Sequence, residues 1–201
     1  MTTTRRTLLA LLAGAALAAP GAARALTPEA ARSFVENALR DLEAIVKSAR
    51  PGDDRADAFL ALFRRIAALP EIGRFTMGVA WRSMSEAQRA AFLKAFESYA
   101  ARAYSSRIGD YNGQTIQVTG AQGAGQRGVL VASVLKQPGA QDIRIDWLVS
   151  DRGGDTRLAD IVAEGVSLSI SQRETFAAML ERRGGDIDRF IADLATAAPE
   201  A

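Results

Sequence analysis

The sequence predicts an α+β fold, on three observations. The first half of the chain is apolar at helical spacing, the third quarter holds four short strand-like runs split by glycine-containing turns, and the tail returns to helical spacing. Helices followed by an antiparallel meander define that class. At 201 residues, 48% of them apolar, the chain suits one ordinary domain with a sizeable core.

Thr27-Pro28 reads as an N-cap and first helical residue, followed by a stripe of Phe34, Val35, Ala38, Leu39, Leu42, Ile45 and Val46. Pro51-Gly52-Asp53-Asp54 breaks that pattern and opens a second helix with Phe59, Leu62, Phe63, Ile66 and Leu69 on one face, which Pro70 ends. Residues 70–81, with Ile72, Phe75, Met77, Val79 and Trp81, read as short helical turns with several apolar side chains facing inward. Ser85-Glu86-Ala87-Gln88 is a capping box for a helix running to about Ser106, with Phe92, Phe96, Tyr99 and Ala103 as its main stripe. Tyr111-Asn112-Gly113 turns the chain into four strands, at 115–119, 128–136, 143–150 and 156–163. The connections between them are short and contain glycine, which favours antiparallel hairpins. In the second strand Val129, Val131 and Leu135 face one way and Leu130, Ala132 and Val134 the other, so both faces call for cover by helices or a ligand. Ser171-Gln172-Arg173-Glu174 is a second capping box, Gly184-Gly185 closes its helix, and a last helix carries Ile187, Phe190, Ile191 and Leu194.

Composition narrows the chemistry. Cysteine is absent, which excludes disulfides, thiol nucleophiles, thiolate metal sites and lipid-modified cysteine. Histidine is absent too, which removes the commonest general base, the commonest transition-metal ligand and every Ser-His-Asp arrangement. A catalyst here would have to work with carboxylates, Lys, Arg, Tyr, Ser or Thr, so the composition leans towards binding.

Residues 1–25 read as a secretory signal peptide. Arg5 and Arg6 form a positive start, an apolar Leu/Ala run follows to Pro20, and Ala23-Arg24-Ala25 offers small residues for cleavage before Leu26. The run is shorter than the roughly 20 residues of a spanning helix. Thr4-Arg5-Arg6-Thr7-Leu8-Leu9 also resembles a twin-arginine export signal. Export of a cysteine-free chain fits a bacterial periplasm. The charge balance changes with cleavage: the whole chain is +2, and without Arg5, Arg6 and Arg24 it holds 22 basic against 23 acidic residues, or −1. A near-neutral mature chain argues against nucleic acid as a partner.

Two blocks carry a family resemblance. Trp81-Arg82 leads into Ser85-Glu86-Ala87-Gln88-Arg89, then Phe92, Phe96, Tyr99 and Tyr104, then Tyr111-Asn112-Gly113-Gln114. The second block is Asp160-Ile161-Val162-Ala163-Glu164-Gly165-Val166-Ser167-Leu168, followed by a capped helix. In this order and spacing they resemble the MlaC family of periplasmic phospholipid carriers, also called toluene-tolerance proteins. The resemblance implies a fold akin to nuclear transport factor 2, a curved antiparallel sheet of about four strands against helices, with an apolar pocket between them. It further implies a single domain over 26–201 (a helical part at 26–84 and a helix-sheet-helix core at 85–201), with no cofactor and a phospholipid as cargo. The implied role is that of a non-enzymatic, soluble, monomeric carrier within a lipid ABC transporter system that maintains outer-membrane lipid asymmetry. The implied partners are an inner-membrane MCE-domain transporter complex and an outer-membrane lipoprotein complex.

On that reading the candidate lipid-binding residues are Phe75, Trp81, Phe92, Phe96, Tyr99, Val131, Val134, Ile145, Trp147, Ile161, Val166 and Phe176. Such stripes equally describe ordinary core. For the head group, Arg74, Arg82 and Arg144 are candidates, although 22 of the 25 basic residues are arginine. Two alternatives stay open. One is a small isomerase or hydratase of the same fold, using Asp160 as a desolvated base with Tyr99 or Tyr104. The other is a binder of hopanoid or sterol-type lipids. Asp160 is also readable as a structural carboxylate, with Gly165 permitting a bend or bulge where the chain leaves the strand and Glu164 and Ser167 bonding backbone groups nearby.

Overall fold

The computed structural model describes residues 26–48, 53–108 and 113–197. Residues 1–25, read above as a signal peptide, the Pro51-Gly52 break and Tyr111-Asn112 lie outside the described residues. Helices α1 (Pro28–Ser48), α2 (Asp53–Ile66), α3 (Leu69–Met77), α4 (Ala80–Ser83) and α5 (Glu86–Ile108) precede strands β1 (Thr115–Gly123), β2 (Val129–Lys136), β3 (Ile143–Ser150), β4 (Arg157–Ala163) and β5 (Val166–Ser167). Helices α6 (Leu168–Glu181) and α7 (Ile187–Thr196) close the chain. The strands form one antiparallel sheet in the order β1-β2-β3-β4-β5. The fold is therefore the expected α+β class. Among the described residues no helix is long and apolar enough to cross a membrane.

Local chemistry explains most boundaries. The Thr27 hydroxyl accepts from the Ala30 amide at 3.2 Å, capping α1. Ser85 and Gln88 exchange reciprocal bonds, 3.0 Å from the Ser85 amide to the Gln88 side chain and 3.2 Å back, as the capping box requires. The second proposed box is corrected. Helix α6 starts earlier, with Ser167 as N-cap accepting from the Ile170 amide at 3.1 Å. The β4–β5 hairpin delivers the chain directly into that helix, so no loop is left for a later cap. Pro70 does not end α2 either. It occupies the first turn of α3, where its missing N–H is harmless.

Strand β1 runs longer than the sequence pattern indicates, and the short β5 adds to the four strands expected. Strand β1 continues to Gly123 because a bulge between Val118 and Gly120 absorbs one residue and restores pairing, Gly120 with Ala132. The β4–β5 turn holds Glu164 at φ 49° and Gly165 at φ 84°, the two left-handed residues of a tight type I′ hairpin. It is a hairpin, not the bend out of the strand that Gly165 suggested. The Glu164 carboxylate accepts from the Arg144 amide and the Glu164 amide donates to the Arg144 carbonyl, which holds the hairpin to β3.

The apolar residues divide into two clusters. One lies among the helices: Phe92, Phe96 and Tyr99 of α5 meet Phe176 of α6 and Phe190 of α7, with Met77, Met84, Met179 and Leu194 around them. Phe176 sits at its centre, edge-on to Phe92, Phe96, Tyr99 and Phe190 at centroid distances of 5.4–6.2 Å. The other joins Ala31 and Val35 of α1 to Val129, Val131 and Val149 of the sheet. Leu26 packs on that second cluster, and its amide donates to the Asp151 carboxylate at 3.1 Å.

Candidate functional site

Between the two clusters lies a cavity of about 410 Å³. That is within the range of roughly 300–1,000 Å³ typical of small-molecule sites. Helix α1 supplies Ala38, Leu39 and Leu42, and α2 supplies Phe59, Leu62, Phe63 and Ile66. The sheet supplies Leu135, Ile145, Trp147, Ile161 and Ala163, and α5 contributes Phe96 and Ala100.

Register explains the sheet's share. Leu135, Ile145 and Trp147 fall on one face by alternation, with Ala163 opposite Ile145 and Ile161 opposite Trp147. Leu158, Ala159, Asp160 and Ile161 all reach the lining in succession, which strict alternation forbids. A bulge in β4 at this point, between the Leu148 and Val149 pairings, allows it. Trp147 is oriented by Ser133: the buried serine accepts from the indole Nε1 at 2.9 Å and donates to the Ile145 carbonyl at 2.7 Å. With its one polar atom satisfied, the indole leaves an apolar face to the cavity.

A second cavity, about 900 Å³, adjoins the first where α3 meets β4, and Ala67, Ile72, Ala159, Asp160 and Ser169 line both. Its lining carries many charged side chains, where that of the first holds only Asp160. Arg64, Arg127, Arg152 and Arg157 line it with Glu71, Glu97, Asp155 and Asp160. Arg64 pairs with Glu97, and Arg157 with Asp155 at 3.0 Å. Arg127 and Arg152 come from adjacent hairpins, brought together because Gly128 packs against the backbone of Val149 and Ser150.

The twelve candidate residues separate. Phe96, Ile145, Trp147 and Ile161 line the apolar cavity. Phe92, Tyr99 and Phe176 are helical core, Trp81 packs half-buried against them, and Val131 belongs to the α1 cluster. Phe75 lies at the charged cavity, 42% exposed, with the Arg173 guanidinium over its ring at 5.4 Å. Val134 is on the opposite face of β2 from Val131, and Val166 is exposed at the β5 edge. Of the apolar residues in 70–81, Met77 is buried and Ile72 and Trp81 are half-buried against the helical core, while Phe75 and Val79 are exposed. The walls given by α1 and α2 were readable only as stripes. Their signal was excess: Leu39, Leu42, Phe59, Phe63 and Ile66 present more apolar surface than their two helices cover between them.

The arginines are also reassigned. Arg74 and Arg82 line neither cavity. Arg144 grips the buried Asp146 with two bonds, 2.7 and 3.3 Å. The hydrogen bond to that carboxylate, and then its charge, raise the Arg144 pKa above the ordinary guanidinium value.

Asp160 is held as an acceptor. Its carboxylate takes the Ser167 hydroxyl at 2.6 Å, the Ser169 amide at 3.1 Å and the Ile161 amide at 2.9 Å. Ser167 in turn caps α6, so the carboxylate ties β4 to the start of that helix. Tyr99 is committed to the aromatic core, and the Tyr104 side chain lies outside the described residues. Asp160→Asn turns one of the two carboxylate oxygens into a donor, facing either the two amides or the Ser167 hydroxyl. It is expected to lower unfolding free energy by about 1–3 kcal/mol, which urea denaturation will read. A carboxylate acting only as a catalytic base would leave stability unchanged.

A family model described as MlaC protein matches residues 17–196. In structure the chain is similar to a phospholipid-binding protein from Ralstonia solanacearum, solved in complex with a phospholipid. The TM-score is 0.68 at 23% identity, over 83% of this chain and 99% of that one.

Proposed function

As the chain belongs to the MlaC family, we propose that it is a phospholipid carrier whose apolar cavity takes acyl chains and whose charged cavity takes the head group. The observation that carries this reading is the apolar hollow between sheet and helices, adjoining at β4 a space lined by four arginines and four carboxylates. A diacyl phospholipid exposes roughly thirty methylenes, at about 0.8 kcal/mol each, or on the order of 25 kcal/mol in water. That barrier forbids free diffusion across an aqueous gap. A hollow lined by Leu, Ile, Phe and Trp removes the share of it carried by the methylenes it encloses, and for those, transfer from a bilayer exchanges one apolar medium for another. The net change is small, so transfer runs either way and direction comes from partners.

The carrier acts, on this proposal, in the periplasm after loss of residues 1–25, as a soluble monomer without enzymatic activity or cofactor. It moves lipid between an outer-membrane lipoprotein complex and an inner-membrane MCE-domain ABC transporter. The similar protein from Ralstonia solanacearum, with its bound phospholipid, supports the choice of cargo. The three bonds that Asp160 accepts, two from backbone amides and one from the Ser167 hydroxyl, weigh against the isomerase reading.

Protein purified from a bacterial host should yield phospholipid on solvent extraction and mass spectrometry. Delipidated protein mixed with phospholipid vesicles and re-isolated should recover it. Protein that comes back empty from both treatments overturns the reading.

A further inference from the structure

Gln172 of α6 lines the apolar cavity, and its side-chain Nε2 has no hydrogen-bond partner and is covered, so the amide must turn about its last side-chain bond to present that donor to the cavity. A buried donor left unmade costs about 1–3 kcal/mol. Gln172 lies one helical turn beyond Ser169, which belongs to both cavities, so the orphan donor sits near their junction. Acyl tails in the apolar cavity and a phosphate beside Arg127 and Arg152 would place the linkage between tail and glycerol at this level. Resting on the carrier reading, we propose that Gln172 is a specificity-determining residue that donates its amide N–H to an acyl-ester carbonyl of the cargo.

The chemistry distinguishes lipid classes that share tails and head group. A diacyl glycerophospholipid offers a strong carbonyl acceptor at the junction. A dialkyl ether lipid carries a methylene there and leaves the donor unpaired. Hopanoid or sterol rings without a carbonyl at that depth leave it unpaired as well.

The probes are dioleoyl phosphatidylcholine and its di-O-oleyl ether analogue, offered at equal concentration in detergent micelles to delipidated full-length mature protein. Wild type should load the ester form in about tenfold excess, the equivalent of one regained hydrogen bond. Gln172→Leu, which removes the amide but keeps the bulk, should load both forms equally and melt no lower than wild type. Gln172→Glu at pH 8, an acceptor in the same place, should load even less of the ester. Equal loading by wild type, or an ester preference that survives in Gln172→Leu, overturns the inference and leaves the carrier reading intact. Failure of wild type to load either lipid overturns the carrier reading instead.

A second contact stands apart from the cavities. The Leu26 nitrogen lies 3.1 Å from the Asp151 carboxylate in the turn after β3. If the leader is removed before Leu26, hydrolysis of the Ala25–Leu26 peptide bond takes up one water. Ala25 leaves as a carboxylate and the Leu26 nitrogen becomes an ammonium. The geometry points to an ion pair made by processing, in which the new terminus clamps α1 to the β3–β4 hairpin. Exported protein should then have the intact mass of a chain starting at Leu26. N-acetylation of that chain keeps the N–H and removes the charge. It should lower the melting temperature by about 2–4 °C, and should have no effect in Asp151→Asn. A start elsewhere, or equal melting of the acetylated and free forms, overturns the proposal.

Discussion

Ala38→Phe is expected to cut phospholipid retention by about tenfold or more while leaving the lipid-free protein as stable as wild type. Ala38 lines the apolar cavity from α1 and is half-buried, so a ring placed there enters the hollow instead of a packed core. Each methylene of cargo pushed back into water costs about 0.8 kcal/mol, and displacing two already exceeds a factor of ten. For the empty protein the sign differs. Filling a void recovers contacts that its lining lacks, offset by the strain of crowding. Extracted lipid per mole of protein and the melting temperature of the delipidated form measure the two effects separately. Unchanged lipid content would show that the acyl chains lie elsewhere.

Gly128→Ala should be the most destabilising single change outside the aromatic cluster. A Cβ at this position would lie 2.1 Å from the Val149 carbonyl oxygen, and the residue has φ +119°. The obstacle is backbone of a central strand, which cannot swing aside as a side chain can. Left-handed strain of about 1–3 kcal/mol and crowding of about 1–3 kcal/mol together imply a loss of about 2–6 kcal/mol. Gly125 provides the comparison, with φ +61° and open space around it. Gly125→Ala should lose only about 1–2 kcal/mol, the dihedral part alone. Urea denaturation of both variants separates the steric contribution from the conformational one. Equal losses would mean that the close approach at Gly128 is relaxed at little cost. Arg127 and Arg152 lie on the turns that flank this contact, so Gly128→Ala should also disturb the charged cavity they line.

The fold was legible because its cues are local. Thr27-Pro28, the Ser85 and Gln88 box and the glycines after α6 act within a few residues of where they stand, and alternation in 143–150 marks β3 to the residue. The cavity was legible only in part, because it is a vacancy among elements far apart in sequence. Phe92 and Phe96 follow one another on the same helical stripe, yet Phe92 is fully buried in the aromatic core while Phe96 also borders the hollow. Nothing in the spacing of α5 separates them. What separates them is where α2 crosses, and that depends on the whole chain. The two bulges were hidden for a similar reason, since an extra residue such as Thr119 or Ala159 is defined by a partner strand and not by its own neighbours. Gln172 stood inside an apparent capping box, which assigned its polarity to a helix start instead of to a cavity wall.

The separation of the apolar residues into two clusters has a consequence for turnover. Phe92, Phe176 and Phe190 on one side, and Val35, Val129 and Val149 on the other, reach full burial without any passenger between them. Discharging a guest therefore breaks no contact on which either half relies. The unladen molecule keeps its shape for the next round, and affinity can be tuned along the intervening walls with little penalty to folding.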